Sequence, residues 1–116
     1  MLPRRTVLVV DPLDETHEVL RAALGERGVD VLASHDSAGG LALARRHRPH
    51  LIVLDLEADS SSSALAGRFA SEAGETPLVI LGTARRAAFG SEACQFLTKP
   101  YHYAPLIRKI EELLAA

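Results

Sequence analysis

The sequence predicts an α/β fold built on a parallel sheet, and two observations carry that prediction. Short apolar runs recur along the 116-residue chain, and such runs are typical of strands buried on both faces of a sheet. Segments with helical spacing of apolar residues alternate with them, which favours a three-layer sandwich with helices on both faces. Because crossovers are right-handed, few windings remain, and we expect the strand order 2-1-3-4-5.

Five segments are predicted to be strands of this sheet. Each is a short, mostly apolar run that ends at a polar residue or a turn former. In chain order they are Thr6–Val10, Val29–Ala33, Leu51–Leu54, Leu78–Leu81 and Gln95–Thr98.

The predicted helices have their apolar residues on one stripe. They are Glu15–Glu26, Ser37–His47, Ala64–Glu72 and a final helix with Pro105 in its first turn and a stripe of Leu106, Ile107, Ile110, Leu113 and Leu114. Gly25 and Gly28 mark the end of the first helix, and Pro49 stops the second. The stretch Thr83–Ala93 stays open, because Gly90 would break a helix there early.

Composition and charge bound the class of protein. Thirteen basic and fifteen acidic residues leave a net charge of -2, which offers no argument for binding nucleic acid or an anionic membrane. A hydrophobic fraction of 47% suffices for one core, so we expect residues 1–116 to form one domain. Cys94 is the only cysteine, which fits a reducing cytoplasm, and the apolar run after the basic Met1–Arg5 is too short for a signal peptide or a membrane span.

Three charged residues, Asp11, Asp55 and Lys99, each stand just past a predicted strand. Ligands of open α/β sheets bind outside the carboxyl ends of the strands. The expected strand order brings Asp11 beside Asp55, with Lys99 reaching in from the far side. Singly, such residues are most often helix caps or solvated charges, but together they suit a divalent cation and a phosphoryl group.

The chain resembles a response regulator receiver domain of two-component signalling over essentially its whole length. The matching segments are VLVVD at 7–11, RPHLIVLDL at 48–56 and FLTKPY at 96–101. The resemblance implies a flavodoxin-like fold and a phosphoryl switch. Asp55 would accept a phosphoryl group from a sensor histidine kinase or a phosphotransfer protein. Mg²⁺ would be held by Asp11, Asp55 and the main-chain carbonyl of Glu57, and Lys99 would neutralise a phosphoryl oxygen.

The same resemblance implies how the signal is passed on. Phe96 occupies the aromatic switch position, and a cis peptide bond is expected before Pro100. A face made by the fourth and fifth helices and the fifth strand would contact a downstream protein or a second copy of the chain. The protein would be a signalling switch and not an enzyme, with self-phosphorylation and self-dephosphorylation at Asp55 as its only chemistry. It would be either a single-domain regulator or part of a longer chain.

Three departures from the receiver pattern leave a second hypothesis open. Pro12 stands where a second carboxylate is usual, so a weakened Mg²⁺ site is expected, and Asp14 and Glu15 are better explained by the helix dipole. Gly82 stands where a hydroxyl is usual, although a shift of one residue would supply Thr83. Acidic residues at Glu57 and Asp59 would repel a phosphoryl group. The alternative is a pseudo-receiver, a protein-binding module that works without phosphorylation.

Other functions and residues receive plainer interpretations. The turn after the first strand has no glycine, which argues against a nucleotide-binding enzyme. The Arg45–Arg48 cluster is expected to be a solvated helix end, Ser60–Ser63 a turn with a helix cap, and Cys94 an apolar filler. The histidines show no metal-ligand spacing and are expected at the surface; they are His17, His35, His47, His50 and His102.

Overall fold

Five parallel strands form one sheet in the computed structural model of the chain, which describes residues 4–58, 67–69, 71–72, 74–82 and 94–115. The strand order is β2-β1-β3-β4-β5, so the predicted order is confirmed. The strands are β1 (Arg5–Val10), β2 (Val29–Ser34), β3 (Leu51–Asp55), β4 (Leu78–Gly82) and β5 (Cys94–Thr98), and every predicted bound agrees to within one residue.

Helices cover the sheet on both sides. They are α1 (Asp14–Gly25), α2 (Ser37–His47), α3, which is described over residues 67–69 and 71–72, and α4 (Tyr103–Ala115). The predicted start of α3 at Ala64, the serine run Ser60–Ser63 and the stretch Thr83–Ala93 lie outside the described residues. Within the described ranges, no helix has the length and apolar character needed to cross a membrane.

Two apolar clusters lie on opposite faces of the sheet and hold the three layers together. On one face α1 and α4 pack on the strands, through the buried side chains of Val7, Val9, Leu20, Leu24, Val29, Leu51, Val53, Val79, Leu81, Leu106, Ile110 and Leu114. On the other face lie Leu8, Val10, Leu41, Ile52, Leu54, Leu56, Phe69, Leu78 and Ile80. Alternate residues of β1 and β3 therefore serve different faces, as expected for strands buried on both sides.

The close approach of α2 to β1 explains one of its glycines. A Cβ atom on Gly40 would lie 2.5 Å from Val10 Cγ2 and 3.0 Å from Phe69 Cζ. The Asp36 side chain caps the helix by accepting a hydrogen bond from Gly39 N at 2.7 Å. Gly40 thus allows the first turn of α2 to lie close against the sheet.

Candidate functional site

The carboxyl edge of the sheet brings the three predicted site residues together. Asp55 is the last residue of β3, Asp11 directly follows β1, and Lys99 directly follows β5. Because the strands are parallel, their ends meet at one edge. Lys99 N donates a hydrogen bond to Gly82 O at 2.7 Å, which holds the lysine beside the end of β4.

Asp55 lies at the centre of this edge and both of its oxygens are engaged. The residue is 1% exposed. Lys99 Nζ donates to Asp55 Oδ2 at 2.7 Å, and Glu57 N donates to Asp55 Oδ1 at 2.8 Å. A buried carboxylate needs such charge-assisted bonds, since its desolvation is costly. The arrangement orients the carboxylate and keeps a cation against it.

Asp11 is buried more completely and is paired less well. Its Oδ1 accepts a hydrogen bond from Leu13 N at 2.8 Å, whereas its buried Oδ2 has no hydrogen-bond partner among the described residues. Burial raises the pKa of the Asp11 carboxyl, the hydrogen bond from Leu13 opposes that change, and the charge of Asp55 raises the pKa further. The site therefore contains a carboxyl group that would gain from a nearby cation.

Lys99 is shared between two carboxylates. Its Nζ also donates to Glu57 Oε2 at 3.2 Å, and the Glu57 side chain is largely exposed. Burial by itself would lower the pKa of Lys99, but the hydrogen bonds and charges of Asp55 and Glu57 outweigh it and raise the pKa. Lys99 is therefore fully charged at neutral pH, and Glu57 competes for it with any incoming anion.

The donor set fits Mg²⁺ in part. Carboxylate oxygens are the ligands that Mg²⁺ prefers, and it commonly keeps several waters. Asp11 Oδ2 is buried and lacks a partner, so a cation there would satisfy it. In the described part of the chain, no group of three or more His, Cys, Asp and Glu side chains is placed to hold a metal ion. Asp11 and Asp55 would therefore need main-chain and water oxygens to complete the coordination.

The acidic residues after Pro12 do not join the site. The Asp14 side chain is 78% exposed and forms an ion pair with His35 Nε2. The hydrogen bond and the charge of His35 lower the pKa of Asp14. Asp14 and Glu15 lie in the first turn of α1, as expected for residues that complement the helix dipole. Neither Asp14 nor Glu15 therefore replaces the carboxylate that is usual at position 12, where this chain has proline.

His17 corrects the expectation that the histidines lie at the surface. It is 4% exposed, and its Nε2 donates to the main-chain oxygen of Asp11 at 2.8 Å. Its ring meets that of His35 edge-on, with 5.1 Å between the ring centroids. The sequence held a signal for this position, because His17 is one helical turn before Leu20 and two turns before Leu24 on the buried stripe of α1. His17 supports the loop that carries Asp11.

The space beside Gly82 is filled by apolar side chains. Gly82 is the last residue of β4, and a Cβ atom there would lie 3.0 Å from Leu56 Cδ1 and 3.2 Å from Phe96 Cζ. Phe96 is half-buried and packs on the cluster that contains Leu56. Thr83, which would supply the hydroxyl after a shift of one residue, lies outside the described residues.

A groove opens onto Asp55 between α1 and the segment that follows β5. Its volume is about 410 Å³, and it is lined by Leu13, Thr16, Asp55, Lys99, Pro100, Tyr101 and Tyr103. Leu13 is 57% exposed, and the Tyr101 and Tyr103 rings meet edge-on. Burial raises the pKa of Tyr101. The Lys99–Pro100 peptide bond is cis, as the resemblance implied.

Comparison with known proteins gives a consistent class. The sequence matches no family model. It is 29% identical over 115 residues to TcrX, a probable transcriptional regulatory protein of Mycobacterium tuberculosis. The alignment covers 94% of this chain and 49% of TcrX. The chain thus spans about half the length of that relative. It is 28% identical over 117 residues to PilH of Pseudomonas aeruginosa, covering 94% of this chain and 97% of PilH.

A further relative and several solved structures extend the comparison. An uncharacterized 14.6 kDa protein of Leptolyngbya boryana is 32% identical over 123 residues, covering 99% of this chain and 94% of that protein. The receiver domain of the Francisella response regulator 1452 superposes with a TM-score of 0.79 at 22% identity, covering 97% of this chain and 98% of that one. A response regulator of Thermotoga maritima superposes with a TM-score of 0.78 at 20% identity, and the alignment covers 98% of this chain and 100% of that one.

The fold and the carboxyl edge define a flavodoxin-like domain with an acidic pocket and a lysine. Together with these relatives, they show that the chain is similar to response regulator receiver domains in sequence and in fold. Receiver domains are signalling switches of two-component systems, and not classical enzymes.

Proposed function

We propose that this receiver domain accepts a phosphoryl group on Asp55 from the phosphohistidine of a sensor histidine kinase or phosphotransfer protein in the cytoplasm. The observation that carries the proposal is the contact of Lys99 Nζ with Asp55 Oδ2 at 2.7 Å on the buried carboxyl edge. A carboxylate is a weak nucleophile, so the site must supply position and charge. The lysine supplies both.

The transfer needs few groups. An oxygen of Asp55 attacks phosphorus, the phosphorus–nitrogen bond to the donor imidazole breaks, and the imidazole leaves with a proton. Lys99 turns from Asp55 Oδ2 to a phosphoryl oxygen and neutralises it. Mg²⁺ held by Asp11, Asp55 and the main-chain carbonyl of Glu57 would supply further positive charge when bound. Leu13, Tyr101 and Tyr103 border the groove that leads to Asp55.

The proposed output is a change of a protein-binding face. This face comprises β5, α4 and the segment between β4 and β5, in which the resemblance implies a further helix, and its partner is a downstream protein or a second copy of the chain. Phe96 on β5 packs on the apolar cluster that contains Leu56, and Leu56 directly follows Asp55. A change at Asp55 can therefore reach β5 through adjoining side chains.

Phosphorylation can be tested by intact mass spectrometry. The protein is incubated with Mg²⁺ and phosphoramidate, which carries the same type of phosphorus–nitrogen bond as phosphohistidine. We expect the mass of one phosphoryl group on the wild type and on Asp30→Asn, an exposed control, and none on Asp55→Asn. Absence of the adduct from the wild type, or its persistence on Asp55→Asn, would contradict the proposal.

The second candidate function is the pseudo-receiver, and the contact at Gly82 favours it. Leu56 and Phe96 fill the space in which a hydroxyl-bearing side chain would lie, and Glu57 already binds Lys99. Under this hypothesis the protein-binding face is constitutive. A target that binds wild-type protein and Asp55→Asn with equal affinity, with or without the phosphoryl donor, would favour the second function over the first.

A further inference from the structure

A second cavity lies at the opposite end of the sheet from Asp55. Its volume is about 310 Å³, and it lies between the end of α2 and the starts of β3 and β4. Its lining includes Arg45, Arg48, Ile52, Glu72 and Thr76. Ile52 and Asp55 are three residues apart on β3, or about 10 Å. We call this space the basal cavity, and the phosphoryl chemistry proposed above does not use it.

Arg48 is the unusual residue of the basal cavity. It caps α2 in the left-handed conformation, with φ 47, which disfavours side chains other than glycine and asparagine. Its side chain is exposed and forms no ion pair within the described ranges. The dipole of α2 explains basic residues in the last turn, but glycine would serve better at the cap. An arginine held there at a backbone cost indicates a use for its charge.

Arg45 gives the cavity a second guanidinium group, already arranged as a fork. Its Nε donates to Glu72 Oε2 at 2.7 Å, and its Nη2 donates to the other carboxylate oxygen. This pairing raises the pKa of Arg45 and lowers that of Glu72, so both are charged. The geometry is that of bidentate oxyanion recognition. Glu72 thus marks where an oxyanion fits, and it competes with any ligand.

The remaining walls favour an organic body. Ile52 is 1% exposed, and Ala44 and Pro49 also line the cavity, while Thr76 adds a hydroxyl group. Small-molecule pockets combine apolar walls with a few polar groups, and about 300 Å³ is the lower end of their range. A compact ligand with one anionic end matches this lining.

We propose that the basal cavity binds a small organic oxyanion, a phosphate monoester or a carboxylate with a compact apolar body. Arg48 provides a cation that has no ion-pair partner among the described residues. Arg45 provides a guanidinium group arranged for bidentate binding, and Ile52 and Pro49 form the apolar wall. The basic cluster at the end of α2, which the sequence indicated as a solvated helix end, thereby gains a role. The proposal is independent of phosphorylation at Asp55.

The test is an amide NMR titration of the full chain with phenyl phosphate and, separately, benzoate, without Mg²⁺. We expect saturable shifts confined to the amides around Arg45, Arg48, Ile52 and Thr76, with millimolar or tighter dissociation. Amides next to Asp55 serve as the internal reference and should not move. The tighter of the two probes identifies the preferred oxyanion.

Variants separate recognition from general charge. Arg48→Gly relieves the left-handed cap, so the urea midpoint should rise while binding weakens at least tenfold. Arg46→Ala removes the same charge from the same turn without touching the cavity, and its affinity should stay within about twofold. Glu72→Gln removes the competing carboxylate and should tighten binding severalfold. Absence of saturable shifts, or equal weakening by Arg46→Ala and Arg48→Gly, would overturn the proposal.

Discussion

At the scale of single residues, the site holds more negative than positive charge. Asp11, Asp55 and Glu57 surround Lys99, which pairs with the last two and leaves Asp11 Oδ2 without a partner in the described structure. Burying a carboxylate without a cation is costly, and a second carboxylate nearby adds to the cost. The metal-free protein is therefore less stable than its fold allows, which is a common feature of functional sites.

Replacing Asp11 should stabilise the metal-free protein. Asp11→Asn keeps the acceptor for Leu13 N and removes the buried charge, so we expect a gain of ~1–2 kcal/mol in the free energy of unfolding at pH 7. Urea denaturation with and without Mg²⁺ measures it, and Mg²⁺ should stabilise the wild type more than the variant. A loss of stability in the variant without Mg²⁺ would contradict this account.

The pH dependence of that gain has a definite sign. The folded protein holds the Asp11 proton more tightly than the unfolded chain, because its pKa is raised above 3.8. Stability from this group therefore falls as pH rises from 3.8 through the folded pKa, and stays low above it. The difference in the free energy of unfolding between Asp11→Asn and the wild type should grow over that pH interval and vanish below it.

Lys99 is expected to contribute most to the stability of the site. Lys99→Ala leaves Asp55 buried without its cation, and because the lysine side chain is 20% exposed we expect a loss of ~2 kcal/mol. Lys109→Ala removes an exposed lysine 3.9 Å from Glu112 and should cost less than ~0.5 kcal/mol. Thermal and urea unfolding measure the two losses. Equal losses for Lys99→Ala and Lys109→Ala would contradict the larger contribution of Lys99.

The Lys99 contribution has its own pH window. Its folded pKa is raised above 10.5, so its stabilisation is fully present below pH 10.5 and is lost as pH rises through the folded pKa. The stability difference between the wild type and Lys99→Ala should therefore narrow only in strongly alkaline solution.

At the scale of elements, the residue after β3 and a residue of β5 both pack beside the end of β4. Leu56 directly follows β3, Phe96 lies in β5, and both side chains reach the place where Gly82 has no Cβ. In this chain Leu56 and Phe96 occupy the space that a side chain at position 82 would need. Apolar packing around Gly82 therefore connects the residue that follows Asp55 with β5.

A side chain at Gly82 should disturb that contact. Gly82→Thr places atoms within 3.0–3.2 Å of Leu56 and Phe96, so we expect a loss of ~1–3 kcal/mol in the free energy of unfolding. The added cost should be smaller in a Phe96→Leu background, which a double-mutant cycle measures. Gly25→Ala, with nothing within 4 Å, is the control and should be neutral or stabilising. Additive effects of Gly82→Thr and Phe96→Leu would show that the two residues do not touch.

Strands and helices of this chain could be predicted because their signals are local. Apolar runs such as Leu51–Leu54 and the stripe of α4 need only a short window, and right-handed crossovers then order the sheet. Leu56 and Phe96 both approach Gly82, although the three residues are far apart in sequence, so no local pattern reveals this packing. The conformation of Arg48 also could not be predicted, because the left-handed position at a helix end is usually occupied by glycine.

At the scale of the whole molecule, the sheet presents different chemistry at its two ends. The carboxyl edge holds Asp11, Asp55 and Lys99, and their meeting could be predicted from strand order alone. The opposite end holds the basal cavity, whose lining residues come from α2, α3, β3 and the segments before β3 and β4. The sequence showed its arginines but not the cavity, since that depends on how α2 packs beside α3. Only the first end holds residues for which the resemblance to receiver domains implies a role.

We propose that Asp55 is a working phosphoacceptor despite Pro12 and Gly82. The most direct measurement is a set of amide NMR spectra without Mg²⁺, with Mg²⁺, and with Mg²⁺ and beryllofluoride, which mimics the phosphoryl group on an aspartate. We predict saturable shifts at Asp11, Asp55 and Glu57 that spread to Phe96 and α4, and their loss in Asp55→Asn. No response of the wild type to millimolar Mg²⁺ and beryllofluoride would contradict the claim and leave a pseudo-receiver.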